Sequence, residues 1–285
     1  MTPTDRQAHW ENIYTTKGEA EVSWFEEPPT ESLRLLQLVG AQQSSAIIDV
    51  GGGASRLVDN LLAQGFENIT VLDLSAAALN SARARLGDKG EAVKWIVADA
   101  TEWQPKDTYD VWHDRAAFHF LTNEKVQQAY IQRLKQALKR GGHLIIGTFA
   151  LDGPEKCSGL PVARHSAESL SALLAPDFDL IDSRRHEHIT PWQAVQKFQF
   201  STFRYNLRNT IQGNIRGRPR RPAQTSGEGK KLVGEGLRRA VTREELAITL
   251  PAVRRRTHST AREALASIRK WFGRGACHGS LRLTE

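Results

Sequence analysis

The sequence predicts an α/β fold: a seven-stranded, mostly parallel sheet with helices on both faces and an antiparallel last strand, followed by a basic extension. Three observations carry this. Short apolar, β-branched runs alternate with helical patterns from residue 47 to 149. The first run turns on three consecutive glycines into a helix. Aspartates stand at the C-terminal ends of successive runs, where open parallel sheets bind ligands.

The elements follow in order. Residues 5–39 hold two helical patterns, the first with Trp10, Ile13 and Tyr14 on one face. The second opens after Pro28-Pro29 with Thr30 as its expected N-cap, and Leu33, Leu35, Leu36, Leu38 and Val39 form its apolar side. Between them Val22-Ser23-Trp24-Phe25-Glu26 reads as a loop, with Trp24 placed either to cover a ligand or to pack, and Trp10 as a packing residue. Strands are expected at 47–50, 69–73, 93–98, 109–113 and 143–149, with helices at 55–64, 76–86 and 123–139. The glycines of Arg140-Gly141-Gly142 are expected to stop that third helix. A turn-rich loop spans Leu151 to Pro161, and a helix follows at 166–174. Phe178 to Ile189 and Lys197 to Arg204 then read as strands with no helix between them, hence an antiparallel finish.

Composition bounds the class. A chain of 285 residues, 40% apolar and 25% charged, has the core of a globular protein. No apolar run reaches the roughly 18 residues of a membrane span. Met1 to Gln7 lacks the basic-then-apolar pattern of a secretory leader. Cys157 and Cys277 are too far apart to pair as a metal or redox motif in sequence. These features predict a cytoplasmic monomer without a metal. Charge divides unevenly, with 18 Lys and Arg against 6 Asp and Glu in residues 206–285, a net of +12. The chain totals of 39 and 32 leave 21 and 26 for residues 1–205, a net of −5. A shift of that size marks a boundary near residue 205.

The chemistry gathers at Asp49-Val50-Gly51-Gly52-Gly53-Ala54-Ser55. Glycines let the backbone approach a ligand, and a helix beginning there presents unpaired N–H groups. Asp73 follows about 20 residues on, the spacing of a carboxylate that accepts from ribose hydroxyls. Asp99-Ala100 is suited to an adenine edge, and Asp114 closes the fourth run. No Walker lysine follows the glycines, which argues against nucleoside triphosphate chemistry, and the third glycine of the dinucleotide fingerprint is missing. An adenosine carrying a cationic amino-acid tail fits what remains.

With Asp49-Val50-Gly51-Gly52-Gly53, Asp73, Ala98-Asp99-Ala100 and Asp110-Val111-Trp112-His113-Asp114 in that order, residues 8–205 resemble the class I S-adenosylmethionine-dependent methyltransferases. Leu138-Lys139-Arg140-Gly141-Gly142-His143-Leu144 resembles that family's L-K-P-G-G-x-L, with Arg140 in place of proline. The Gly51-x-Gly53-x-Ser55-x-Leu57 variant, Trp10-x-x-x-Tyr14 and Ser23-Trp24 resemble the branch of protein lysine methyltransferases and bacterial enzymes of unassigned substrate. The resemblance implies a Rossmann-like fold and S-adenosylmethionine as cofactor. By carry-over, Asp49, Gly51, Gly53 and Ser55 are expected to hold its methionine part, Asp73 its ribose, and Asp99 with Ala100 its adenine, and Trp24 and Leu74 are expected among the cofactor-binding residues. His113 or Asp114 is expected to orient or deprotonate the acceptor. His119 and Cys157 read as packing, and His186-x-His188 as surface. The acceptor is expected to be a small molecule, with a protein lysine as the alternative.

The extension has 15 Arg, 3 Lys and no Asp. It reads as flexible, with a short basic amphipathic helix near 260–272 opened by Thr260-x-x-Glu263. A nucleic-acid arm and a membrane-surface helix both fit its charge. An unevolved extension, such as a shifted or read-through reading frame would add, is the preferred reading, because an Arg and Gly excess with almost no aromatics builds no core.

Overall fold

The computed structural model describes residues 3–207. The expected basic extension, with its helix near 260–272, lies outside the described residues except for Asn206 and Leu207.

The order is α1 (Pro3–Thr16), α2 (Thr30–Leu38), β1 (Ala46–Val50), α3 (Leu57–Ala63), β2 (Asn68–Asp73), α4 (Ala76–Leu86), β3 (Val93–Val97) and β4 (Tyr109–Arg115). Then come α5 (Glu124–Ala137), β5 (Leu138–Phe149), a two-residue-per-strand hairpin of β6 (Lys156–Cys157) and β7 (Leu160–Pro161), α6 (Ala167–Leu174), β8 (Phe178–Ile189) and β9 (Val195–Tyr205). Seven strands form one sheet in the order β3-β2-β1-β4-β5-β9-β8. The first five are parallel, and β9 runs antiparallel to both β5 and β8, as expected. The order reverses between β1 and β4, which opens a crevice at their C-terminal ends.

Alternation along the strands builds a core on each face. Ile48, Val50, Trp112, Leu144 and Phe203 pack with Tyr130, Ile131 and Leu134 of α5 and Leu170 of α6. Ile47, Val71, Val111, Ile145 and Phe200 pack with Leu35 and Leu36 of α2 and Leu57 and Leu61 of α3. Each fully buried side chain of this size contributes ~1.5–3 kcal/mol. Helix starts follow their capping residues: Ser75 accepts from Ala78 N at 3.1 Å, and Asn123 accepts from Lys125 N at 2.9 Å.

Three local expectations are corrected. Thr30 is the first residue of α2 and not its N-cap; Pro29 holds that place, and the Thr30 hydroxyl donates back to Pro28 O at 3.2 Å. The helix expected over 123–139 ends at Ala137, because Leu138 is already extended and pairs with Tyr109. Gly141 (φ +83°) and Gly142 therefore serve a bulge at the start of β5, where a Cβ on Gly142 would lie 2.9 Å from Asp110 O. The loop expected over 151–161 contains the β6–β7 hairpin.

Candidate active site

The crevice holds a cavity of about 880 Å³, part of it open to solvent, at the ends of β1, β2, β3 and β4. Of the expected cofactor residues, Trp24, Gly51, Asp73, Leu74, Asp99 and Ala100 line it. Gly51 turns the chain at φ +70°, and a Cβ there would sit 2.4 Å from the Ala117 Cβ. Gly53 turns at φ +44°, with Asp73 Oδ2 and the Tyr14 hydroxyl both 3.0 Å from the place of a Cβ. The turn admits only glycine at these two points, for conformation and for space.

Asp49, Gly53 and Ser55 are not in the cavity wall. Asp49 Oδ1 bonds His113 Nδ1 at 2.7 Å, while Ser55 Oγ accepts from Leu57 N at 3.1 Å at the start of α3. Both shape the glycine turn from behind.

The two wall carboxylates differ. Asp73 is almost sealed, and burial, aided by the negative Asp49, pushes its carboxyl up to about 7 against the bond from Ser75 N at 2.8 Å. Burial acts to raise Asp99 as well, yet bonds from Thr101 and the Arg6 guanidinium at 2.5 Å hold it below the usual carboxylate range. Arg6 belongs to α1, which lies across the cavity. The same helix brings Trp10 and Tyr14 into the wall, with Trp24 Nε1 donating to the Tyr14 hydroxyl at 3.1 Å. Trp10 meets Trp24 edge-on at 5.6 Å between centroids and Phe120 at 4.9 Å. Trp10 is thus part of the site rather than packing alone. Its helical face with Tyr14 was visible in the sequence; the Arg6 pairing had no local signal.

The expected catalytic pair lies elsewhere. His113, beside Asp49 in the strand register, spends its second ring nitrogen on Ser32 Oγ at 2.9 Å, and it is buried away from the wall. Asp114 lies inside β4, fully buried on the opposite face. It accepts from Ala117 N at 2.9 Å and from the Tyr130 hydroxyl at 2.5 Å, which in turn accepts from Trp112 Nε1 at 2.7 Å. Burial lifts Asp114 to about 6 against those bonds. Neither side chain reaches the cavity, so the expectation of a proton-handling pair is replaced by two internal braces.

His119 is packed between Phe120 and Phe149, and burial drives its pKa down to about 3, so it stays neutral. Cys157 lines the cavity as a thiol that burial raises to about 11. His188 departs from its expected surface position: it is buried, with Nε2 2.7 Å from Ser23 O.

Residues 47–142 match the family described as "Methyltransferase domain". That stretch is similar to methyltransferase domains. The chain is 29% identical over 107 residues to a malonyl-[acyl-carrier protein] O-methyltransferase of Ilyobacter polytropus, covering 37% of this chain and 40% of that protein. It is 31% identical over 119 residues to an alpha N-terminal protein methyltransferase of Arabidopsis thaliana, covering 40% and 42%. The chain thus spans less than half the length of these relatives in the matched region. The fold is also that of a 1,6-didemethyltoxoflavin-N1-methyltransferase from Burkholderia thailandensis, solved with bound S-adenosylhomocysteine, at a TM-score of 0.52, 19% identity and coverage of 72% and 91%. The chain brings Gly51 of the glycine turn together with Asp73 and Asp99 at one end of the sheet.

Proposed function

We propose that the chain transfers the methyl group of S-adenosylmethionine to a small-molecule acceptor. The observation that carries this is the meeting of Asp73, Asp99 and the Cβ-free face of Gly51 in one aromatic-roofed cavity. Bound there, the cofactor supplies an electrophilic methyl on a sulfonium. Asp73 accepts from the ribose hydroxyls, with Leu74 beside it, and Asp99 with Ala100 reads the adenine edge. Gly51 admits the amino-acid part, and Gly53 gives the Asp73 carboxylate its room. Trp10, Tyr14 and Trp24 exclude water, which favours a transition state in which positive charge disperses.

No acid–base residue is needed in this scheme. Holding the acceptor in line can supply ~7–11 kcal/mol of the barrier. His113 and Asp114 act as positioning residues, the first fixing Asp49 behind the glycine turn and the second fixing the backbone of Ala117 beside Gly51. Among the described residues no helix is long and apolar enough to cross a membrane. A monomeric enzyme of the cytoplasm is the reading we adopt. Calorimetry with S-adenosylhomocysteine tests the proposal: binding by the wild-type chain and its loss in Asp73→Ala are expected, and no uptake by the wild-type chain refutes it.

A further inference from the structure

Given the methyl-transfer reading above, we propose that the acceptor is a planar heteroaromatic molecule, held between aromatic side chains and recognised on its edge by the Gln196 carboxamide. Gln196 belongs to β9, opposite His188, and lines the same cavity as Gly51 and Asp73. Its Oε1 is buried and has no hydrogen-bond partner. An amide oxygen left so in a folded protein is costly unless a ligand donor completes it. Around it the wall is aromatic: Phe149 and Phe198 meet at 4.9 Å, as do Trp10 and Phe120. Flat rings pack well against such faces and edges.

Charge and proton supply argue against a lysine or a peptide N-terminus. The carboxylates in the wall are Asp73 and Asp99, both assigned to the adenosyl end, and Asp99 already carries Arg6. The remaining wall charge is Arg115, itself paired with Glu26 at 2.9 Å. An ammonium would enter beside two guanidinium groups, with no uncommitted carboxylate among the described wall residues to meet it. Its proton, with a pKa of ~10.4, would also find no base among the described wall residues other than Asp73, which is assigned to the ribose. Tyr14, Tyr130 and Cys157 are all raised by burial, and the Tyr130 hydroxyl is spent on Asp114.

The nucleophile must therefore arrive with its lone pair free, as a ring nitrogen or as a phenolate or thiolate formed in water. That lone pair makes the new bond to the methyl carbon, and the electrons of the broken S–C bond return to sulfur, which leaves as a neutral thioether. Any acceptor proton has already gone to solvent. The position of α1 across the cavity agrees with a small acceptor. Besides the Arg6–Asp99 pair, the His9 ring lies 3.4 Å from Ser158 Oγ in the β6–β7 turn, so α1 is tied on both sides of the cavity.

The test uses hydroxyquinolines and mercaptopyridines of graded acidity against two peptides, one with an N-terminal Xaa-Pro-Lys and one with an internal lysine. Calorimetry in saturating S-adenosylhomocysteine should show that the heteroaromatics bind. Mass spectrometry with S-adenosylmethionine should show their methylation, with the pH–rate inflection following each acceptor's own pKa. Gln196→Leu should weaken heteroaromatic binding about tenfold, the loss of one hydrogen bond in a dry site, and leave S-adenosylhomocysteine affinity unchanged. Methylation of either peptide, a set of heteroaromatics that neither bind nor react, or a Gln196→Leu variant that binds them like wild type overturns the proposal. Failure of the wild-type chain to bind S-adenosylhomocysteine is a separate result, and it overturns the methyl-transfer reading beneath.

Discussion

Asp73 must suit two environments. Burial and the neighbouring Asp49 lift its carboxyl to about 7 in the folded chain, whereas an unfolded chain releases that proton near 3.8. Between those values the folded form holds a proton that the unfolded form has lost, so the stability of the empty protein falls as pH rises through that window and levels off above about 7. Asp73→Asn removes the penalty. In urea titrations without ligand, the variant should exceed wild type at pH 8 by on the order of a few kcal/mol, and the gap should close by pH 4. In the proposed complex the cofactor would reverse the preference, because ribose hydroxyls donate best to a carboxylate. S-adenosylhomocysteine affinity should rise from pH 6 to pH 8 in wild type. In Asp73→Asn it should be flat and ~10–100-fold weaker, as for a lost charge-assisted bond. Gly51 is a second test at this scale. Gly51→Ala places a methyl 2.4 Å from the Ala117 Cβ at a φ of +70°. A loss of ~1–3 kcal/mol in stability is expected, together with loss of ligand binding, and Ala117→Gly in the same chain should recover the steric share in a thermal melt. The residues legible in the sequence were those whose strand-end position fixes them, such as Asp73, Asp99 and Gly51. His113 and Asp114 were misread as cavity residues because their partners, Ser32 and Tyr130, come from α2 and α5, and neither contact has a signature in local spacing.

Helix α1 shows the same limit one level up. Its helical pattern was readable, and so was the aromatic face of Trp10 and Tyr14, but what it covers depends on contacts with distant segments. Arg6 holds Asp99, and Glu11 Oε2 accepts from Ser75 Oγ at 2.7 Å and from Ala77 N at 3.2 Å, adding an anion to the N-terminus of α4. Farther along, Glu19 bonds Ser81 Oγ at 2.7 Å and pairs with Arg85 and Arg56 at 2.5 and 3.0 Å. Polar groups of α1 and of Glu19 thus tie this stretch to α4, contacts that can open locally without unfolding either core. Hydrogen exchange should find the amides of residues 4–16 faster than those of β1 and β4 in the empty protein, and slowed when S-adenosylhomocysteine binds. Glu11→Ala should raise their exchange and cost about 0.3–1 kcal/mol, the usual worth of an anion at a helix N-terminus. Equal protection of α1 with and without ligand would remove it as a closing element. The end of α5 carries a related lesson. Glycines after a basic helical turn look like a stop signal, yet tertiary pairing of Leu138 with Tyr109 draws the chain into the sheet three residues before Gly141.

At the scale of the whole chain, charge and chemistry divide between different stretches of sequence. Every residue that lines the cavity falls between Arg6 and Phe198, whereas residues 206–285 hold a net charge of +12 and no Asp. If the cavity alone carries the activity, a chain ending at Leu207 should bind S-adenosylhomocysteine within about twofold of the full chain, since no contact to the ligand is removed. The extension has a separate test, because a segment with 15 Arg attracts polyanions whatever its shape. Binding of the full chain to a single-stranded RNA, followed by fluorescence anisotropy between 50 and 200 mM salt, should weaken steeply. A log–log slope of roughly −0.7 per phosphate neutralised is expected. The shortened chain, whose residues 1–205 carry a net charge of −5, should show no such binding. Polyanion attraction of this kind is sequence-independent, so a slope that persists equally on unrelated RNAs marks charge alone. A slope with a sequence preference would instead make the extension a recognition element and the acceptor a nucleic acid, contrary to the proposal for Gln196.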